Sequence, residues 1–192
     1  MKFASKLCCV VAGLICNSAI AGWQLDNESS QLNFLSTKKS QITELHKFNT
    51  LSGSISDLGK VSVEIDLSSV DTKIPIRNDR MQQYLFEIEK FAKANISAQL
   101  EPSFLQSMDS GSSHNLSLNA ELDLHGHKQS LPIEITVFKD KSGKISAISR
   151  QPVLINAADF KLVNGLNKLQ ELAGLPSITH VVPVTFSLTF SQ

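Results

Sequence analysis

An all-β fold built on antiparallel pairing is predicted for this chain by two observations: apolar and polar residues alternate with period 2 in stretch after stretch, and turn-forming clusters separate the stretches. Val61, Val63, Ile65 and Leu67 alternate with Ser62, Glu64 and Asp66; Leu116, Leu118, Ala120, Leu122 and Leu124 alternate with Ser117, Asn119, Glu121 and Asp123. The same holds for Leu131, Ile133, Ile135 and Val137, and again for Val182, Val184, Phe186, Leu188 and Phe190. Such alternation buries one face of a sheet and wets the other. Strands of a parallel sheet would be apolar on both faces.

Shorter alternating runs at 32–34, 51–55 and 94–100 bring the expected number of strands to eight or nine. The turns between them fall at Asp57-Leu58-Gly59-Lys60, Asp109-Ser110-Gly111-Ser112, His125-Gly126-His127 and Asp140-Lys141-Ser142-Gly143. That many half-apolar strands must close into a barrel or split into a sandwich. The length of the central runs favours the barrel. Two segments depart from the β pattern. Residues 75–86 open on Pro75, which suits a first helical turn, and place Met81, Tyr84 and Leu85 at helical spacing. Residues 157–173 carry Leu162, Leu166, Leu169 and Ala173 on one stripe, with Asn156 or Asp159 to cap the start and Gly174 and Pro176 to stop it. The segment 107–113 reads as a polar loop.

Residues 1–21 read as a cleavable export signal. Lys2 and Lys6 form a positive start, Leu7 to Ile15 an apolar run, and Ala19-Ile20-Ala21 a small-residue cleavage site, so the cut is expected after Ala21. The apolar run is shorter than the roughly 20 residues a membrane-spanning helix needs. The expected product is a single domain, 22–192, that is periplasmic or secreted. Cys8, Cys9 and Cys16, the three cysteines of the chain, all lie in the segment removed, which excludes disulfide and thiol chemistry from the product. Removing Lys2 and Lys6 from 18 basic residues leaves 16 against 18 acidic ones, a net charge of −2 that gives no reason to expect nucleic acid or an anionic membrane as partner.

Motifs for catalysis or cofactors are missing. No phosphate-binding glycine loop, HExxH helix or GxSxG elbow occurs, and no cofactor is expected. His125 and His127 have the spacing of a metal-ligand pair, but Gly126 between them closes a strand, and two solvated turn histidines are the simpler reading. The remaining candidate for function is the apolar inner face. A barrel of about eight strands is either filled by its own side chains or holds one small ligand. The two helical segments tilt the reading towards a ligand, since a binding cavity needs a cover and a filled barrel does not.

Several stretches, taken in order, are similar to the YceI-like family. Trp23-Gln24-Leu25-Asp26 with Leu32-Asn33-Phe34 opens the resemblance, and Leu51-Ser52-Gly53-Ser54-Ile55 continues it. Arg77-Asn78-Asp79-Arg80-Met81, Phe86-Glu87-Ile88-Glu89-Lys90-Phe91, Ala120 to Gly126 and Ala158-Asp159-Phe160 follow in the expected order. The chain departs from the family pattern at Ala92, where proline is usual, and at the second histidine, His127. The resemblance implies an eight-stranded, lipocalin-like antiparallel barrel with one or two short helical segments. It also implies a non-enzymatic role, in which the barrel interior binds an isoprenoid or other long-chain lipid.

On that reading the ligand-binding positions are Phe34, Val63, Ile65, Met81, Leu85, Leu118, Leu122, Ile133, Ile135, Leu162, Leu166, Phe186 and Leu188. Arg77 and Arg80 are candidate contacts for a polar or phosphorylated head, although a structural ion pair with Asp79 or another carboxylate is the stronger reading for them. A homodimer is admitted as an assembly. The rival functions are a metal-binding module through His125 and His127, and a small hydrolase acting on an apolar substrate.

Overall fold

The computed structural model describes residues 22–192. The export segment, 1–21, lies outside the described residues. Twelve strand segments form one antiparallel sheet: β1 Gly22–Leu25, β2 Gln31–Lys38, β3 Ile42–Phe48, β4 Leu51–Ser56, β5 Lys60–Asp66, β6 Val70–Asp71, β7 Lys93–Gln99, β8 Ser113–Leu124, β9 His127–Lys139, β10 Ile145–Ser149, β11 Val153–Asn156 and β12 Val181–Ser191. Three helices accompany them: α1 Pro75–Arg80, α2 Pro102–Ser107 and α3 Val163–Leu172.

The twelve segments amount to eight strands, because four of the eight are bent. β1 with β2, β3 with β4, β5 with β6, and β10 with β11 are halves of single strands that continue past a local break. At the first break the Asp26 carboxylate accepts hydrogen bonds from the backbone N–H groups of Glu28 and Ser29 at 3.1 and 3.2 Å, a local turn that competes with the ladder. Asp66 does the same at the third, accepting from Ser68 N–H at 2.9 Å to start a 3₁₀ turn over Leu67–Ser69. Pro152, which has no N–H to give, sits in the fourth.

The eight strands close into a barrel through β12. One edge of β12 pairs with β10 and β11, and the other with β1 and β2. At the seam Leu25 stands opposite Phe190, one of the most deeply buried side chains. β8 and β9 run longer than the alternation suggested, at 12 and 13 residues, and turn on His125 and Gly126, whose φ values of 54° and 74° are both left-handed.

The two ends of the barrel differ. α1 follows β6 and α3 follows β11, and the β8–β9 turn lies at that same end; α2 joins β7 to β8 at the other. α2 was not expected from the sequence. Its Leu105 is buried, as is Met108 just past its end.

Both expected helices also need correcting. The segment 75–86 begins as α1 but widens into a π-helical stretch at Met81–Phe86, ended by Glu87 at φ 48°. The segment 157–173 is a 3₁₀ turn, Ala157–Phe160, separated from α3 by Lys161 at φ 54°. Asn156 caps that turn, accepting from Ala158 N–H at 3.1 Å, while Asp159 lies inside it. Ala157 and Phe160 are both buried at the three-residue spacing of a 3₁₀ helix, so packing against the barrel selects the tighter turn.

Truncating the seam should loosen the whole closure. Phe190→Ala is expected to cost about 3–5 kcal/mol, read as a lower urea midpoint with the denaturant slope unchanged.

Candidate functional site

Period-2 geometry sends every second side chain of each strand to the barrel axis, and those side chains do not meet. They enclose a cavity of about 220 Å³. Every residue lining it is Leu, Ile, Val, Phe, Met or Ala. The thirteen residues expected to bind ligand all line it: Phe34, Val63, Ile65, Leu118, Leu122, Ile133, Ile135, Phe186 and Leu188 from strands, Met81 and Leu85 from the π-helical stretch, and Leu162 and Leu166 from α3 and the residue before it.

The last four form a cover. α3 packs directly on the π-helical stretch, and Gly165 makes the contact close: a Cβ there would stand 2.5 Å from the Tyr84 carbonyl oxygen and 2.8 Å from Leu85 Cα. The widened turn helps in turn, since Met81, Leu85 and Phe86 are all buried beneath it. Phe86 packs against Phe48 with ring centroids 5.8 Å apart, which ties the cover to the wall.

The two candidate head-group arginines hold this cover. Arg77 donates from Nη1 to Glu44 Oε2 at 2.8 Å and from Nη2 to the Thr72 carbonyl at 2.7 Å. Its ion-pair partner is therefore Glu44 of β3, not Asp79. Arg80 donates to the Leu172 carbonyl at 3.2 Å, so a cation meets the C-terminal end of α3 where the helix dipole favours it. The Lys38 ammonium, and after it the Arg77 guanidinium, hold the Glu44 carboxyl below its usual range.

His125 and His127 are not brought together as metal ligands. His125 Nε2 lies 3.0 Å from Glu87 Oε2, and its ring rests on Phe91 with centroids 4.4 Å apart. Lys90, and then His125, keep the Glu87 carboxyl below its usual range. No group of three His, Cys, Asp or Glu side chains with metal-binding geometry occurs among the described residues.

One buried polar residue beside the cavity was missed by the sequence reading. His46 is buried on β3, directly opposite the cavity-lining Phe34 in the β2–β3 ladder, and so faces inward with it. The two rings meet edge to face, with centroids 5.3 Å apart. Burial, and then the Arg77 cation, depress the imidazole's affinity for a proton. The signal was present: His46 and Phe48 have the same strand parity, in a run from 42 to 48 that was not read as a strand.

The comparisons with known proteins agree with this geometry. The family model of the YceI-like domain matches residues 23–190. The chain belongs to the YceI-like family. Among solved structures, a polyisoprenoid-binding domain from Saccharophagus degradans, implicated in plant cell wall breakdown, shares 36% identity at a TM-score of 0.86, over 88% of this chain and 97% of that one. BcnA of Burkholderia cenocepacia superposes at 0.66 with 15% identity, over 86% of this chain and 98% of its own. The Campylobacter jejuni YceI protein superposes at 0.54 with 17% identity, over 77% and 84%. These last two share the fold. No curated protein matches the sequence. Among the described residues no helix of this YceI-like chain is long and apolar enough to cross a membrane.

Two outcomes follow from the cover and its wall. Gly165→Ala, which in an unhindered helix would stabilise, should instead destabilise by about 1–3 kcal/mol because α3 must move away from Leu85; a lowered Tm with faster amide exchange in α3 and residues 81–86 checks it. His46, with its folded pKa depressed, takes up its proton more readily in the unfolded chain. Stability should therefore fall as pH drops through about 6.5. Urea titrations at pH 7.5 and 5.5 should show that loss, and it should be smaller in His46→Gln.

Proposed function

We propose that the protein is an exported, non-enzymatic binding module that holds the chain of a polyisoprenoid or similar amphiphile inside its barrel, for sequestration or transport through an aqueous compartment. The observation that carries this reading is the cavity: about 220 Å³ lined by apolar side chains alone. Such a space offers water no hydrogen-bond partner, so it favours an apolar guest over solvent. Left unfilled, a void of that size costs on the order of 5 kcal/mol by the cavity term measured in other cores. A bound chain recovers that cost and adds about 25 cal/mol for each Å² of its own surface taken from water. The similarity to a domain described as polyisoprenoid-binding supports the ligand class. The export signal read in residues 1–21 supports the compartment, where a free isoprenoid chain would not stay dissolved.

The rival readings draw less support. Hydrolysis of an apolar substrate needs convergent polar groups at the reacting bond, and the cavity wall supplies none. Metal binding through His125 must displace its contact with Glu87.

Organic extraction of protein purified from its native compartment, followed by mass spectrometry, should yield a prenyl-chain lipid in near-stoichiometric amount. Ile133→Asp should abolish uptake of added polyprenol, because a carboxylate desolvated beside the chain has no partner. Leu118→Trp should also reduce uptake, by filling space, without introducing a charge. If the wild-type protein is empty on isolation and takes up no polyprenol, the binding function is refuted.

A further inference from the structure

We propose that the cavity continues past its apolar wall into a polar subsite at His46, which receives the uncharged hydroxyl or carbonyl end of the bound amphiphile. The inference rests on the reading of the barrel as a lipid carrier and specifies what kind of lipid end it takes.

The placement comes from strand parity. Along β3 the successive inward residues are Phe48, His46 and Glu44, and opposite them on β2 stand Leu32, Phe34 and Ser36. Phe48, Leu32 and Phe34 line the cavity. His46 is thus the next inward residue towards the end covered by α1, and Glu44 and Ser36 come one step further out. The wall changes from apolar to polar along a single face of a single hairpin. A chain lying in the cavity with its polar end towards the cover would meet His46 first.

His46 also has hydrogen-bonding capacity left unused. Only two polar residues are buried among the described residues, His46 and Thr72, at 4% and 3% exposure. Thr72 is satisfied, since its hydroxyl lies 2.6 Å from Asn78 Oδ1 and its N–H donates to the same oxygen. His46 Nδ1 is buried without a partner. A buried polar atom left unpaired is costly and uncommon. A ligand oxygen at Nδ1 would remove that cost, as donor or as acceptor according to the imidazole tautomer.

The surrounding charges select an uncharged end over a phosphate. The imidazole is disfavoured as a cation by its burial and by Arg77. Arg77 spends Nη1 on Glu44 and Nη2 on the Thr72 carbonyl, and keeps only a buried Nε without a partner. The Glu44 carboxylate, on the same inner face two residues from His46, holds both Lys38 and Arg77 at 2.8 Å, so a phosphate could recruit these cations only by breaking those ion pairs. A hydroxyl or carbonyl leaves them intact.

The test compares three C15 prenyl probes on the mature protein: the alcohol, the same chain ending in a methyl group, and the monophosphate. Affinities are measured by competition with a fluorescent fatty chain. Wild-type protein should bind the alcohol about tenfold more tightly than the methyl-ended chain, and the monophosphate no better than the alcohol. His46→Phe should erase the preference for the alcohol over the methyl-ended chain, read as the ratio of the two affinities within the variant, and His46→Gln, which restores a hydrogen-bonding group, should recover part of that ratio. In the wild type the alcohol should also shift the His46 imidazole nitrogen resonances, whereas the methyl-ended chain should not. Equal binding of alcohol and methyl-ended chain by the wild type overturns the subsite but leaves the apolar cavity standing. A preference for the monophosphate overturns it in favour of a charged head. If none of the probes binds, the carrier reading fails and the subsite fails with it.

Discussion

Closure of the hydrogen-bonded ladder is the constraint on which the rest of this structure depends. β12 pairs with two strand segments on each edge, so the sheet has no free edge across the seam and its circumference is set by backbone geometry. A sandwich whose side chains underfill the core can draw its sheets together. A closed barrel cannot shrink without breaking ladder bonds, so side chains that fall short of the axis leave a space. The cavity therefore follows from the closure. The two ends of that space are closed differently. At one, Leu105 of α2 and Met108 just past it are buried, while the other is covered by two segments held through side-chain contacts.

Those contacts make the covered end a unit with identifiable joints. Arg77 ties α1 to the wall through Glu44, Arg80 ties α1 to the end of α3, and Gly165 lets α3 settle on Leu85. The arginines that the sequence suggested for a lipid head are thus engaged with the protein itself. Apart from the Arg77 Nε, the buried polar atom left without a partner at this end is His46 Nδ1, one step inside them. The order along the hairpin, with aromatic rings deepest, an imidazole above them and an ion pair at the rim, is what an amphiphile of matching polarity would present in reverse.

Much of the fold was legible because alternation is a direct consequence of strand geometry. The long runs around Leu118, Ile133 and Phe186 placed their odd or even members on the axis without any knowledge of topology, and these, with the four residues read from the helical segments, line the cavity. The breaks were less legible. Asp26 and Asp66 end their ladders through local side-chain hydrogen bonds, which a pattern of apolar residues does not register. α2 escaped because it has only six residues, although Pro102 at its start and the Phe104, Leu105 and Met108 spacing were there to be read. In the two segments read as helices, periodicity found the α-helical parts, 75–80 and 163–172, but not the change of helix type beside each. The π-helical stretch at Met81–Phe86 and the 3₁₀ turn at Ala157–Phe160 are selected by what they bury against the barrel. His46 was passed over for a related reason. What distinguishes it is a buried Nδ1 without a partner, and only the assembled wall shows which atoms are left without one.

The central claim is that the apolar interior is a dry binding space whose guest lies along the barrel axis. Diffraction from crystals grown with a C15 prenyl alcohol tests it most directly. The account predicts continuous density between Phe34, Ile133 and Phe186, running towards the cover and ending within hydrogen-bonding distance of His46 Nδ1. Ordered water in that space, or a lipid bound only on the outside of the barrel, would contradict it.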